Sequence, residues 1–433
     1  MNRPHQPHTT SDLAASDSVD STDVAIIGAG PAGAAAAAWL ARRGWRVSVI
    51  ERNHFPRFSI GESLLPQCMV HLDSCGLLDA ARAGHFQPKN GAAFTYRGQD
   101  SAFDFRDKFS DGPGTTWQVE RADFDQRLIA GAQAFGAQAE FGMRVTDFSG
   151  DADGQRLTLV DEQGDSRTLS ARFVLDASGY GRVLARLNSL ARQPSLESRC
   201  ALFTHVEDRI ADPRYDREKI LIGLHPQDPN VWFWLIPFAN GRASLGVVGE
   251  RSRLERGGAD DGERLWHFVR QEPRFAELLH DARSVRDVDR IEGYSASVET
   301  LHGPGYALLG NAGEFLDPVF SSGVTIALDS AMRAVPLVER QLQGENVDWQ
   351  QDFEQPIRRG SATFRAFVEA WYDGRLPAII FHHRQSARIR TMISAVLAGY
   401  AWDERNPYVS ASERRLSRLA EVCPPLTSLS VEA

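Results

Sequence analysis

Three glycines in a fixed spacing, Gly28-Ala-Gly30-Pro-Ala-Gly33, constrain this chain more than any other feature, because of what flanks them. Asp23 to Gly28 is a short apolar run ending in glycine, the pattern of a buried parallel strand. Ala34 to Arg43 are strong helix formers, and Gly44 suits the C-cap position behind them. Trp45 to Ile50 predicts a second strand, closed by Glu51 and Arg52. Together these make one βαβ unit of about thirty residues. Gly28 permits the tight turn, Gly30 lets backbone approach a pyrophosphate, and Gly33 lets helix and strand pack closely. Pro31 and Ala32 complete the turn, so that phosphates rest on a helix N-terminus whose free N–H groups favour anions. Glu51 is placed to accept hydrogen bonds from ribose hydroxyls. The pattern predicts an α/β dinucleotide-binding domain.

The other elements change character along the chain. Ala93 to Tyr96, Arg156 to Asp161, Ser166 to Leu169 and Phe173 to Leu175 read as strands. Phe203 to Val206, Lys219 to Leu224, Val231 to Pro237 and Arg242 to Val248 form a β-rich middle, expected to be antiparallel. Trp349 to Leu419 reads as helices, with Phe353, Ile357, Phe364, Phe367 and Val368 spaced for one apolar face. At 433 residues, 42% of them hydrophobic, the chain can bury a sizeable core and hold two or three domains. Residues 1–21 are polar, without the apolar stretch of a secretory signal, and read as a disordered tail. No apolar run approaches the ~20 residues of a membrane span. The net charge of −9 gives no basic footprint for nucleic acid or anionic membrane. Four scattered cysteines without metal spacing suggest free thiols in the cytoplasm. The adjacent pair His382-His383, expected in a helix, points in two directions and predicts no metal site. One asymmetry lies inside the basic count: of 48 Lys and Arg residues only Lys89, Lys108 and Lys219 are lysines, leaving 45 arginines.

Three further segments narrow the cofactor. Phe173-Val-Leu-Asp176-Ala-Ser-Gly179, Tyr306-Ala-Leu-Leu-Gly310-Asn311 through Asp317-Pro318, and Val119-Glu-Arg121-Ala-Asp-Phe124-Asp125 resemble the FAD-binding segments of the flavoprotein monooxygenase superfamily. The resemblance implies FAD, with the glycine fingerprint on its ADP half, Arg121 in contact with it, and Asn311 and Pro318 along the ribityl chain. Asn311 replaces the acid usual in the family, and an amide still bonds a ribityl hydroxyl. Gly61-Glu62-Ser63, following Phe55-Pro56-Arg57, lines the flavin by the same resemblance. Glu62 is a candidate general base, although a loop carboxylate with no visible partner is more often structural.

Within that superfamily, three features resemble the flavin-dependent halogenases. Val231-Trp232-Phe-Trp234-Leu-Ile236-Pro237 places two indoles on one face of a strand. Its spelling, Trp-x-Trp-x-Ile-Pro, matches the halogenase signature, whose tryptophans flank the passage from flavin to substrate. Lys89, in Lys89-Asn-Gly91-Ala-Ala-Phe94, stands where halogenases carry an active-site lysine. Arginine is this chain's default cation, and the two are not interchangeable, since a lysine's pKa falls when buried. Ser321-Ser322-Gly323 opens a helix with small residues, and the family's matching pair, here Ser322 and Gly323, binds halide. Tryptophan halogenases have glutamate just before this triplet. Phe320 stands there instead, bringing the resemblance closer to the halogenases of phenols, pyrroles and carrier-tethered aryl groups.

The resemblance implies a Rossmann-like FAD-binding domain of the aromatic-hydroxylase type (22–90, 118–195 and 296–345), a β-rich substrate domain (91–117 and 196–295) and a C-terminal helical region (346–433). It also implies FADH2 from a separate reductase, dioxygen, chloride or bromide, and hypohalous acid passing Trp232 and Trp234 to Lys89. Phe94 and Phe320 are expected in the substrate pocket. The aromatic substrate is free or tethered to a carrier protein. Two alternatives are a flavin-dependent aromatic hydroxylase and an inactive FAD-binding protein docking a carrier through Arg384, Arg388 and Arg390.

Overall fold

The computed structural model describes residues 20–151, 154–193, 196–382 and 386–426. Its first sheet has eight strands around a parallel core in the spatial order Tyr306–Leu308, Ser166–Asp176, Asp20–Ile27, Val47–Glu51, Gln138–Phe141. Val24, Ala25 and Ile26 have no exposed surface, as a strand covered on both faces requires. The helix Pro31–Ala41 crosses between the first two parallel strands and is buried along its whole length, which explains its run of alanines. Two expectations shift here. The first strand starts at Asp20, inside the stretch read as a tail, because Asp20 and Ser21 already pair with Leu169 and Ser170. Ser166 to Leu169 and Phe173 to Leu175 are not two strands but one, Ser166–Asp176, whose first part pairs with Gln155–Val160 and whose residues from Leu169 on pair with Asp20–Ile27.

The second sheet also has eight strands. Its main path runs Arg283–Ser284, Cys200–Glu207, Arg242–Gly249, Trp232–Pro237, Lys219–Leu224, Gly91–Tyr96, Gln99–Asp104. It departs from a purely antiparallel sheet at one seam, where Lys219–Leu224 runs parallel to Gly91–Tyr96. Those strands lie more than a hundred residues apart in the chain, so no hairpin forces them antiparallel. Alternation sorts the Trp-x-Trp strand between two cores. Trp232, Trp234 and Ile236 pack with the C-terminal helices, while Val231, Phe233 and Leu235 pack on the opposite face.

The helix Gln355–Tyr372 buries Ile357, Phe364, Phe367 and Val368, and Phe353 lies in a single π-helical turn just before it. Its residues join three hydrophobic clusters and so tie the sheets together. His382 follows the end of the helix Arg375–Ile380 instead of lying within a helix, while His383 and Arg384 fall outside the described residues. Among the described residues, no helix is long and apolar enough to cross a membrane, and no group of three or more His, Cys, Asp or Glu could hold a metal. All four cysteines are free and buried.

Candidate flavin cleft and the buried lysine

A cleft of about 460 Å3 opens at the carboxyl ends of the parallel strands, where an open α/β sheet binds its ligands. The first sheet contributes Gly28, Gly30, Pro31, Ala32, Glu51 and Arg52 to its wall, and the second contributes Trp232, Trp234 and Ile236. Gly28 has φ +99°, and a Cβ there would lie 2.6 Å from the Ala177 carbonyl oxygen. Gly33 is tighter still, since a Cβ would meet the Gly28 oxygen at 1.9 Å, so helix and strand touch through it. By contrast, a Cβ on Gly30 would approach only the Arg57 guanidinium, at 3.6 Å, leaving its backbone open to the cleft. The Glu51 carboxylate takes the Ala29 N–H at 2.9 Å and the Asn53 N–H at 3.0 Å, fixing the glycine turn and retaining lone pairs for a ligand.

Gly61, Ser63, Arg121, Asn311, Pro318 and Gly323 also line the cleft. Arg121 is clamped by two 2.8 Å bonds to Asp125 and donates to the Ile60 carbonyl at 2.7 Å, which pins the Gly61 loop. The same Asp125 receives Arg57 at 2.9 Å. Asn311 Oδ1 is buried without a hydrogen-bond partner, as expected of an acceptor awaiting a ligand hydroxyl. Open glycine backbone and a partnerless amide oxygen both fit FAD.

The remaining expected site residues lie outside the cleft lining. Ser322 is buried as the first residue of the helix Ser322–Leu342. Its neighbour Ser321, at φ +56°, faces the cleft beside Gly323. Pro237 ends the Trp-x-Trp strand beyond the lining. Phe94, Trp232 and Phe320 converge on Trp371, with ring centroids 6.0, 6.4 and 5.9 Å from it. The Trp371 indole N–H is buried among them without a partner.

Lys89 ends the strand Gln87–Lys89 and is 1% exposed. Its ammonium donates to Ser63 Oγ at 2.7 Å and to the Leu64 carbonyl at 2.8 Å, and Phe105 lies beneath it. Neither acceptor is a carboxylate. Burial lowers its pKa from 10.5 to about 7, and only the nearby Cys68 thiol opposes this. Ser63 both lines the cleft and bonds the amine, so one residue separates them. The other lysines are placed differently: Lys108 is half-buried and bonds the Gly112 carbonyl, and Lys219 pairs with Asp216.

A second polar chain runs from the cleft wall into the cap. Trp232 Nε1 donates to the Tyr372 hydroxyl at 3.0 Å, and Tyr372 donates to Asp317 Oδ2 at 2.8 Å. Asp317 also accepts the Val319 N–H at 3.0 Å, and Arg199 lies over the Tyr372 ring at 3.7 Å. Burial pushes the Asp317 carboxyl up to about 6 against these donors. Trp234 Nε1 donates separately to Ser244 Oγ at 3.0 Å.

An FAD binding domain family matches residues 21–264, more than half the chain. The 1H-pyrrole-2-carbonyl-[peptidyl-carrier protein] chlorinase of Pseudomonas fluorescens is 28% identical over 93% of this chain and 94% of its own length. The flavin-dependent halogenase armH3 of Armillaria mellea is 30% identical over 75% of this chain and 68% of its own length. This chain belongs to the flavin-dependent halogenases. Among solved structures, a flavoprotein/dehydrogenase from Cytophaga hutchinsonii matches the halogenase with a TM-score of 0.90 and 42% identity, over 93% of this chain and 98% of its own.

Sequence reasoning missed several residues of the halogenase cleft. Tyr180, Phe203, Ile220 and Phe315 line it from four separate segments: Tyr180 directly follows the Gly179 segment, Phe315 lies within the Tyr306 to Pro318 segment, and Phe203 and Ile220 belong to plain strands. Glu62, a candidate base with no partner visible in the sequence, has its Oε1 2.6 Å from His205 Nε2. His205 sits in an ordinary alternating strand 143 residues further on, so no local signal connects the two.

Proposed function

We propose that this enzyme uses reduced FAD and dioxygen to chlorinate or brominate an electron-rich aromatic ring, phenolic or pyrrolic, through hypohalous acid delivered to Lys89. The observation that carries the reading is the buried lysine amine, joined to the flavin cleft through Ser63 alone and paired with no carboxylate. When bound, reduced FAD would supply two of the four electrons that dioxygen accepts, the halide ion giving up the other two as it becomes hypohalous acid. Halide is held at the start of the helix Ser322–Leu342 by Ser322 and Gly323, where unpaired N–H groups favour an anion. Trp232 and Trp234 wall the passage, and Trp232 is fixed by its bond to Tyr372.

With its pKa near 7, Lys89 is split between amine and ammonium at neutral pH. The amine reacts with hypohalous acid to give an N-haloamine and water, and halogen then passes to the ring as the amine is restored. The relative that acts on a carrier-bound pyrrole supports a tethered substrate for this chain as well. A separate reductase supplies FADH2, since the sequence carries a single dinucleotide fingerprint.

The test is mass spectrometry of reactions containing FADH2, dioxygen and chloride or bromide. The substrates are a phenol, a pyrrole-2-carboxylate and free tryptophan, with the acid offered both free and carrier-loaded. A halogen isotope pattern on the phenol or pyrrole is expected. An oxygenated, halide-independent product would instead assign a hydroxylase. Lys89→Ala is expected to keep FAD binding while losing at least a hundredfold in product formation, on the scale of a removed catalytic group. Halogenation at the wild-type rate overturns the role of Lys89.

A further inference from the structure

Glu62 lies in the wall of the flavin cleft with 1% of its surface exposed. One carboxylate oxygen is 2.6 Å from His205 Nε2, and the other is buried with no hydrogen-bond partner. A half-satisfied buried carboxylate is costly to fold around and calls for a reason to persist. The neighbouring cations are already engaged. Arg121 and Arg57 both bind Asp125, Arg286 pairs with Asp289, and Lys89 donates to Ser63 and Leu64. Lys89, with its pKa near 7, bonds Ser63 and the Leu64 carbonyl and not Glu62, so the ionisable side chain in direct contact with Glu62 is His205. Its side chain is 12% exposed and edged by the Phe58 and Phe238 rings, so it reaches from the buried carboxylate toward solvent.

We propose that Glu62 and His205 form a proton-holding pair that takes up one proton from solvent when the flavin in this cleft is in its reduced, anionic form. The balance is simple. Two-electron reduction of FAD held here would put one proton and a net negative charge on the flavin, and a second proton, taken from solvent onto His205, would offset that charge. The pair thus offsets the negative charge that reduction places in the cleft, and a histidine is the side chain suited to doing so near neutral pH. The inference rests on FAD binding and not on halogenation, so it fails or holds separately from the role of Lys89.

The measurement is the midpoint potential of protein-bound FAD between about pH 7 and 8, with protein in excess over flavin. Each proton taken up with two electrons shifts the couple tenfold per pH unit, about 30 mV. Wild type, taking up two protons, is expected to fall by about 60 mV per pH unit, and Glu62→Gln and His205→Gln by about 30 mV. A pair that serves only to brace the loop would lower the melting temperature in both variants and leave the slope at its wild-type value. That outcome, or a wild-type slope of about 30 mV, overturns the proposal.

Discussion

At the scale of single residues, Lys89 shows how burial changes the protonation of an ordinary side chain. Its amine keeps two neutral acceptors and no counter-ion, so folding disfavours its charged form. The native pKa near 7 lies below the ordinary 10.5, so between those values the unfolded chain binds the extra proton and stability rises with pH. Below about pH 7 the full cost of burying the ammonium applies. Lys89→Met is therefore expected to be more stable than wild type at pH 7, by an amount on the order of 3 kcal/mol, with the difference shrinking toward pH 10. Urea denaturation midpoints across that range check this, and a pH-independent difference contradicts it. The same titration governs reactivity. The halogenation step should quicken as pH rises through about 7, if the amine reacts as proposed, and a rate that falls over that range would assign the work to the ammonium as a donor. The sequence singled out this lysine by contrast with 45 arginines, but its burial and its bond to Ser63 are tertiary facts.

At the scale of elements, local periodicity carried much of the architecture. The βαβ unit forms where the glycines and alanines place it, and alternation along Trp232–Pro237 sends both indoles into the same core. What periodicity could not show is how an indole is fixed. Trp232 is held by Tyr372 at the end of a helix 140 residues away, and Tyr372 in turn by Asp317. Tyr372→Phe leaves the Trp232 N–H without a partner and Asp317 Oδ2 with only the 3.4 Å bond from the Tyr294 hydroxyl, which should cost about 1–3 kcal/mol. The expected result is a lower melting temperature with FAD affinity retained, accompanied by escape of hypohalous acid, read with a chlorinatable dye in solution. Unchanged retention of the oxidant would mean that ring packing alone holds Trp232. The strand Ser166–Asp176 makes a related point. It reads as two pieces from its sequence and becomes one because Gln155–Val160 pairs with its first half and Asp20–Ile27 with its second, the two registers overlapping at Leu169 to Ala171.

At the scale of the whole molecule, the cleft exists only because two sheets built from interleaved stretches of chain meet there. Its floor comes from the parallel sheet, and one wall comes from the Trp-x-Trp strand of the other. A ligand in that seam stabilises both sheets together, so FAD at a hundred times its Kd should add about 2.7 kcal/mol. Calorimetry is expected to show the entire unfolding transition moving up by a few degrees. A shift confined to part of the transition would place FAD on the parallel sheet alone. By itself, the sequence determined the glycine turn and the strand that carries two indoles, because each is set by neighbours within a few positions, and its composition marked Lys89 as one of three lysines. The tertiary structure alone decided that Ser63 joins Lys89 to the cleft, that His205 faces Glu62 and that Trp371 gathers Phe94 and Phe320, because those contacts join residues 26 to 277 positions apart, across which no local pattern extends.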